Sequence, residues 1–327
     1  MSTKKLIVIV GITGNQGGSV ANAFLNLPDW RIRGISRNSS SASSAAWAAK
    51  GAEMVSGDLD DVSSLKSAFS GATAIFGITD FWQQFSIPEN HALAAKEGKT
   101  INEIAYAAEV AQGHNIVDAA ASVEGLDRLV LSTLSKSREW SKGKILWNYH
   151  FDSKWAAVEY LRERYPEMTK KASFVQPGMF MQNYRMMARK QEDGSYKVTS
   201  PTTAETVIPW FDPMADIGNF VRALLEVAPG KQVAGVGSWL NWNQWCELFT
   251  KISGVNCTYQ QITVDDLEKA MPGGAGREIG DMFKYMEDPG YFGSDPTLIQ
   301  PEDLGVEIKR TTAEDFLKVD LPSFLKA

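Results

Sequence analysis

A chain of 327 residues with 44% hydrophobic and 22% charged side chains has the ordinary make-up of a globular protein. It is long enough for one large α/β unit or two unequal lobes. A net charge of −6 and a pI near 5.3 exclude the basic field that a nucleic-acid surface needs. Two cysteines, Cys246 and Cys257, exclude a disulfide framework, and His91, His114 and His150 lack the spacing of a metal site, so no metal is expected. The opening MSTKK carries no apolar leader and no segment reaches the length of a membrane span, which predicts a cytoplasmic protein that does not enter membranes.

In chain order, residues 6–20 come first: an apolar strand at 6–10, a glycine-rich turn, and a helix at 17–27. Gly11, Gly14 and Gly17 fall at G-x-x-G-x-x-G spacing, so no side chain keeps the backbone amides at the helix start away from a pyrophosphate. The spacing differs from G-x-G-x-x-G but suits dinucleotide binding in the same way. The next strand, 32–36, is followed by Arg37 rather than by the acid that would accept from a ribose 2′-hydroxyl. No Asp or Glu lies between Arg31 and Ser44, and Ser36, Asn38, Ser39 and Ser40 add donors, so the strand end predicts a 2′-phosphate and hence NADP(H). The alternative is an exposed arginine in a solvated serine-rich loop.

Strands at 53–56, 74–78, 128–132 and 172–176 alternate with helices at 43–50, 62–69, 102–123 and 153–165. Several of these strands are apolar throughout, as parallel strands covered on both faces must be. Beyond Pro177 the rhythm loosens: a helix at 216–227, a strand at 232–237, helices at 243–253, 264–271 and 277–286, and a short strand at 258–262. The expected fold is α/β, a Rossmann-like doubly wound parallel sheet with a smaller, mixed α/β C-terminal substrate lobe. The dinucleotide domain is placed at 1–178, with a return at 213–238, and the substrate lobe at 179–327. Helix 102–123 is apolar enough to be core or the face of a homodimer.

Five segments in this order, GITGNQGGSV (11–20), GDLDD (57–61), GITDFW (77–82), YHFDSK (149–154) and PGMFMQN (177–183), make the chain resemble the NmrA-like family of atypical short-chain dehydrogenases. The resemblance covers about two thirds of the chain and fades beyond residue 241. It implies that Gly11, Thr13, Gly14, Asn15, Gln16 and Gly17 face the pyrophosphate, with Arg37 on the 2′-phosphate and Asp58 and Leu59 beside the adenine. Thr79, Asp80 and Phe81, with Trp82, would flank the nicotinamide side, and Pro177 would close the cofactor groove. Without the resemblance, Asp58 is a loop cap and Phe81 and Trp82 are core.

His150 and Lys154 lie four residues apart and share a helix face. In the wider superfamily these positions hold Tyr and Lys, the proton-transfer residue and the ribose-binding residue. NmrA-like proteins commonly lack the Tyr, and many are cofactor-sensing regulators. Tyr149 is turned about 100° away on a helix and is no replacement. Either His150 or Lys154 could move a proton; alternatively Lys154 only binds ribose and His150 is structural. Ser132 and Thr133 could polarise a substrate carbonyl or merely cap their strand.

Ten tryptophans tilt the balance toward an enzyme, with Trp82, Trp140, Trp147 and Trp210, together with Phe180, assigned to a substrate cleft. Trp239, Trp242 and Trp245 are assigned to packing. The expected activity is an NADP(H)-dependent reductase acting on a C=O, C=N or conjugated C=C bond of a small aromatic metabolite, of the kind that tailors secondary metabolites. The alternatives are a non-catalytic NADP(H) sensor of the NmrA type and a non-redox isomerase or cyclase.

Overall fold

The computed structural model describes residues 4–326. Eight strands form one all-parallel sheet: β1 (Lys5–Val10), β2 (Trp30–Ser36), β3 (Glu53–Ser56), β4 (Ala74–Gly77), β5 (Arg128–Ser132), β6 (Ala172–Pro177), β7 (Gln232–Gly235) and β8 (Leu298–Ile299). Their order is β8-β7-β6-β5-β4-β1-β2-β3, so the direction in which strands are added reverses between β1 and β4. That switch point opens a crevice at the carboxyl ends of the strands.

Alternation within each strand divides two cores. Leu6, Val8, Val10, Leu129, Leu131 and Phe174 face helices α3 (Val62–Phe69), α4 (Ile101–Ala121) and α5 (Tyr149–Arg164). Ile7, Ile9, Val130 and Val175 face α1 (Asn15–Phe24) and α6 (Ile217–Glu226). Both faces are covered, which explains the uniformly apolar strands. Helix α4 starts at a reciprocal capping box between Thr100 and Glu103 and sends Ile116, Val117 and Ala120 into the sheet core. It packs closely on α5, because a Cβ on Gly113 would lie 2.8 Å from that of Ala157.

The remaining strands build two small sheets, one of Met179–Phe180, Ile208–Phe211 and Ser238–Leu240, the other of Ala188–Lys190, Tyr196–Ser200 and Cys257–Gln261. Around them, Trp242–Ser253, α7 (Ala275–Glu287) and Ala313–Phe324 bury a third apolar centre that includes Tyr184, Trp210, Trp242, Trp245 and Phe249. Both cysteines are buried and free. No helix among the described residues is long and apolar enough to cross a membrane.

The predicted elements are present, most with ends moved by one to four residues. The helix expected at 153–165 begins at Tyr149, so its first turn already contains His150. Helices Pro88–Glu97 and Ala313–Phe324, strand β8 and the short strands of the small sheets other than Cys257–Gln261 were not expected.

The C-terminal segment docks on α6 through Asp216, whose carboxylate accepts from Thr311 N and Oγ1, both at 2.8 Å. Burial pushes the Asp216 carboxyl up to about 6, against the effect of those two hydrogen bonds. The native state therefore keeps this proton at pH values where the unfolded chain releases it. This group's contribution to stability is full below about pH 4 and is lost as the pH rises through about 6. Asp216→Asn can keep both contacts by accepting from the amide and donating to the hydroxyl. It is expected to gain on the wild type by roughly 2–3 kcal/mol between acid and neutral pH, at 1.36 kcal/mol per unit. Urea unfolding at several pH values, wild type against variant, reads the difference.

Candidate active site

The loop between β1 and α1 forms the floor of the crevice. Gly11 has a φ of +67°, which lets the chain leave the strand in a tight turn. A Cβ on Gly17 would lie 2.1 Å from the Gly11 carbonyl oxygen, so only glycine lets the helix start this close to the strand. Gly14 caps α1 without a side-chain hydrogen bond, and no acid occupies the first turn. The free first-turn amides thus present a positive helix end at the carboxyl edge of the sheet, a cradle that fits a phosphate group. Thr13, Gly14 and Asn15 are exposed around it, and Gln16 reaches across to accept from Ser132 Oγ at 2.7 Å.

Arg37 follows β2 with its side chain exposed. With the Gln83 amide oxygen turned toward it, that oxygen accepts from both terminal nitrogens, at 3.1 Å from Nη1. Asn38 Oδ1 accepts from Ser40 N and Oγ, so these residues shape the serine loop around Arg37. The 58–60 loop ends β3, and α4 holds it: Asn115 Nδ2 donates to the Leu59 carbonyl and Gln112 Nε2 to Asp60. Asp58 is exposed and its Oδ1 accepts from the Asp60 amide. Asp80 accepts from the Gln83 amide and so caps the short 82–86 turn. Pro177 is buried at the end of β6, opposite Gly235.

Helix α5 brings the two titratable candidates to this edge, each backed by a buried carboxylate that sequence reasoning missed. Lys154 Nζ donates to the Thr79 carbonyl at 2.7 Å, to Thr79 Oγ1 at 3.2 Å and to Glu109 Oε1 at 2.5 Å. Glu109 has no exposed side-chain surface and also accepts from Thr79 Oγ1 and Ser153 Oγ. An ammonium has three donors, so the protein already engages all that Lys154 has. Thr133 shares a small cavity with Thr79 and Lys154, and its buried hydroxyl has no partner among the described residues.

His150 differs. Its Nδ1 lies 2.7 Å from Glu278 Oε1, and its Nε2 makes no hydrogen bond to a described residue. Phe81 and Trp82 pack at its ring, with centroids 5.8 and 5.3 Å away. Phe81 is buried, whereas Trp82 is 38% exposed and forms an aromatic wall beside the imidazole. Asp152, pushed up by burial, accepts from Ser137 Oγ and Arg138 N and so anchors the loop ahead of α5.

The tryptophans divide. Trp210 has no exposed surface and stacks on Trp245 with centroids 3.8 Å apart. Its assignment to the substrate cleft is corrected, since it is part of the C-terminal core. Trp140 is half-buried against the same core, where Gly293 leaves room for its ring. Trp147 is half-buried edge-on to Tyr149, and Phe180 is half-buried against the core shared with α1 and α6. Trp242 and Trp245 are core as expected, while Trp239 is 46% exposed.

Glu109 and Glu278 carried a faint signal in sequence. Glu109 sits with Ala105, Gln112, Gly113 and Ile116 on one helical face, so an acid interrupts an otherwise buried stripe. Their partners, however, lie 45 and 128 residues away, beyond the reach of any local pattern.

A doubly wound parallel sheet with a glycine turn at its switch point, an arginine after the second strand and a polar pair on α5 places the protein in the Rossmann-fold class. Within that class the chain belongs to the NmrA-like family, whose model matches residues 3–319. It is similar to the NmrA-like family domain-containing oxidoreductase cpsB of Aspergillus campestris, at 26% identity over 90% of this chain and 87% of that one. FrzB, an oxidoreductase of the same description from Cladobotryum sp, is also 26% identical, over 94% and 91%. Among solved structures, the negative transcriptional regulator NmrA in complex with NADP superposes with a TM-score of 0.75 at 17% identity, over 99% and 98% of the two chains. Citrobacter sp. triphenylmethane reductase complexed with NADP(H) gives 0.68 at 15% identity, over 96% and 99%.

Proposed function

We infer that the protein is an NADP(H)-dependent reductase of a C=O, C=N or conjugated C=C bond in a small aromatic metabolite, with His150 as the proton donor. One observation carries the choice: Lys154 has every donor engaged by Thr79 and Glu109, while His150 keeps an Nε2 without a hydrogen bond to a described residue in a ring packed on Phe81 and Trp82. The relatives described as oxidoreductases and the neighbours solved with NADP or NADP(H) support the same reading.

The free amides of α1 would hold the pyrophosphate, and Arg37 would pair with the 2′-phosphate. Lys154, kept in place by Glu109, would bind the nicotinamide ribose by releasing its long contact to Thr79 Oγ1. NADPH, when bound, supplies the hydride. His150 supplies the proton that neutralises the developing anion, and the Thr133 hydroxyl is available to polarise the acceptor bond. Trp82, backed by the buried Phe81, offers flat apolar surface for an aromatic substrate and excludes water from the transfer.

Tryptophan-fluorescence titration with NADPH and NADH, followed by NADPH oxidation with phenanthrenequinone, a dihydroisoquinoline and chalcone as the C=O, C=N and C=C probes, tests the proposal. Tight NADPH binding with turnover of one probe class supports it. Binding without any turnover favours a cofactor sensor, and absence of binding overturns both.

A further inference from the structure

We propose that Glu278, from the C-terminal lobe, is the positioning residue for His150: it makes Nδ1 the hydrogen-bond donor and leaves Nε2 to deliver the proton. The proposal rests on the proton-donor role inferred above for His150.

Glu278 has no exposed side-chain surface. Its Oε1 accepts from the His150 backbone amide at 2.8 Å and faces Nδ1 at 2.7 Å, and its Oε2 accepts from Asn102 Nδ2 at 2.8 Å. An ionised carboxylate only accepts, so the ring nitrogen facing it must carry the hydrogen, and this contact fixes the tautomer. The backbone bond to the same oxygen prevents the carboxylate from drifting off the ring. Asn102 fixes the other oxygen from α4, so the chain Asn102–Glu278–His150 joins both lobes at the crevice.

The same helix also anchors the segment leading into α5. Asp281 accepts from the amides of Leu146 and Trp147, and the Tyr285 hydroxyl pairs with Ser135 Oγ. With Glu278 these lie at i, i+3 and i+7, one face of α7. The lobe that shapes the substrate cleft therefore also aims the imidazole.

In the step itself, the Nε2–H bond of the imidazolium breaks and its electron pair stays on Nε2. The proton joins the oxygen, nitrogen or carbon that gained charge when the hydride arrived from NADPH. The neutral ring left behind is the Nδ1–H form that Glu278 already stabilises, and water at the cleft mouth returns the proton to Nε2.

The test is a long-range 1H–15N correlation spectrum of the full-length 15N-labelled protein at about pH 9, well above the ordinary imidazole value of about 6.5. With only three histidines, His91→Gln and His114→Gln assign the signals. His150 is expected as the Nδ1–H tautomer in the wild type and in Glu278→Gln, whose amide oxygen can still accept while Asn102 turns its own amide to match and gives up its 3.3 Å bond to the Gly274 carbonyl. In Glu278→Ala it is expected to revert to the Nε2–H form that free imidazole favours. On whichever probe the wild type reduces, kcat should fall at least tenfold in Glu278→Gln, with KM for NADPH within about twofold, because only the charge behind the imidazolium is lost.

A wild-type Nε2–H tautomer, the same tautomer in wild type and Glu278→Ala, or an unchanged kcat in Glu278→Gln overturns the proposal. Should Glu278→Ala fail to fold, the wild-type tautomer and the glutamine variant decide. Should no probe be reduced, the reductase reading falls, and the tautomer comparison still decides the role of Glu278.

Discussion

His150→Asn is expected to lower kcat for the reduced probe by about 10²–10⁴-fold, the usual contribution of a positioned proton donor, while NADPH affinity stays within about twofold. Asparagine is the informative replacement because its amide nitrogen occupies the place of Nδ1 and can still donate to Glu278. The buried carboxylate thus keeps its partner, and the variant should fold. What disappears is Nε2, together with the outer part of the ring that packs on Phe81 and Trp82. Substituting Lys154 cannot be read as cleanly, because removing the ammonium leaves Glu109 buried and uncompensated, which costs about 3–5 kcal/mol when a buried pair is broken. A His150→Asn variant with wild-type kcat would return the proton-donor role to Lys154. A loss in NADPH affinity as large as the loss in kcat would make His150 a structural part of the cofactor groove.

What could be read from the sequence follows the range of the interactions. The glycine turn, strands β1 to β7 and helices α1, α3, α4, α5 and α6 are written in neighbouring residues: spacing at Gly11, Gly14 and Gly17, uniform apolar runs, and helical stripes. Helix Pro88–Glu97 had local punctuation too, a proline in its first turn and Gly98 in the left-handed region at its end, but almost no amphipathic face to draw notice. The Ala313–Phe324 helix was obscured by Pro322 in its last turn, where a missing amide hydrogen bond matters to the pattern more than to the fold.

At the site, the order of motifs singled out Arg37, His150 and Lys154 as candidates, because each falls within or next to a short segment that can be read locally. The side chains that touch them, Glu109, Glu278 and Gln83, are each supplied by a different element and joined only by tertiary packing. Trp210 failed for the complementary reason. Its position after Pro177 said nothing about which side of its strand faced the cleft, and the observed pairing of Ile208–Phe211 between two short strands turns it into the Trp242–Trp245 core.

Arg37→Ala is expected to weaken NADPH binding by about 10²-fold and leave NADH binding nearly unchanged. The estimate takes the loss of one to two charge-assisted hydrogen bonds to a 2′-phosphate, at about 1.5–3 kcal/mol each. NADH lacks that phosphate, and no acid stands at the end of β2 to receive its 2′-hydroxyl, so the substitution removes little from the dephosphorylated cofactor. Gln83 adds a second arm. Its amide oxygen occupies the guanidinium and must be displaced before a phosphate can take both nitrogens. Gln83→Ala removes that competitor and is expected to tighten NADPH binding a few-fold, an effect that should vanish when Arg37 is also alanine. Fluorescence titrations of the wild type, the two single variants and the double variant against both cofactors complete the cycle. Additive effects of the two substitutions would show that Gln83 does not compete for Arg37. Equal losses for NADPH and NADH would show that Arg37 supports the fold of the serine loop rather than reading the phosphate.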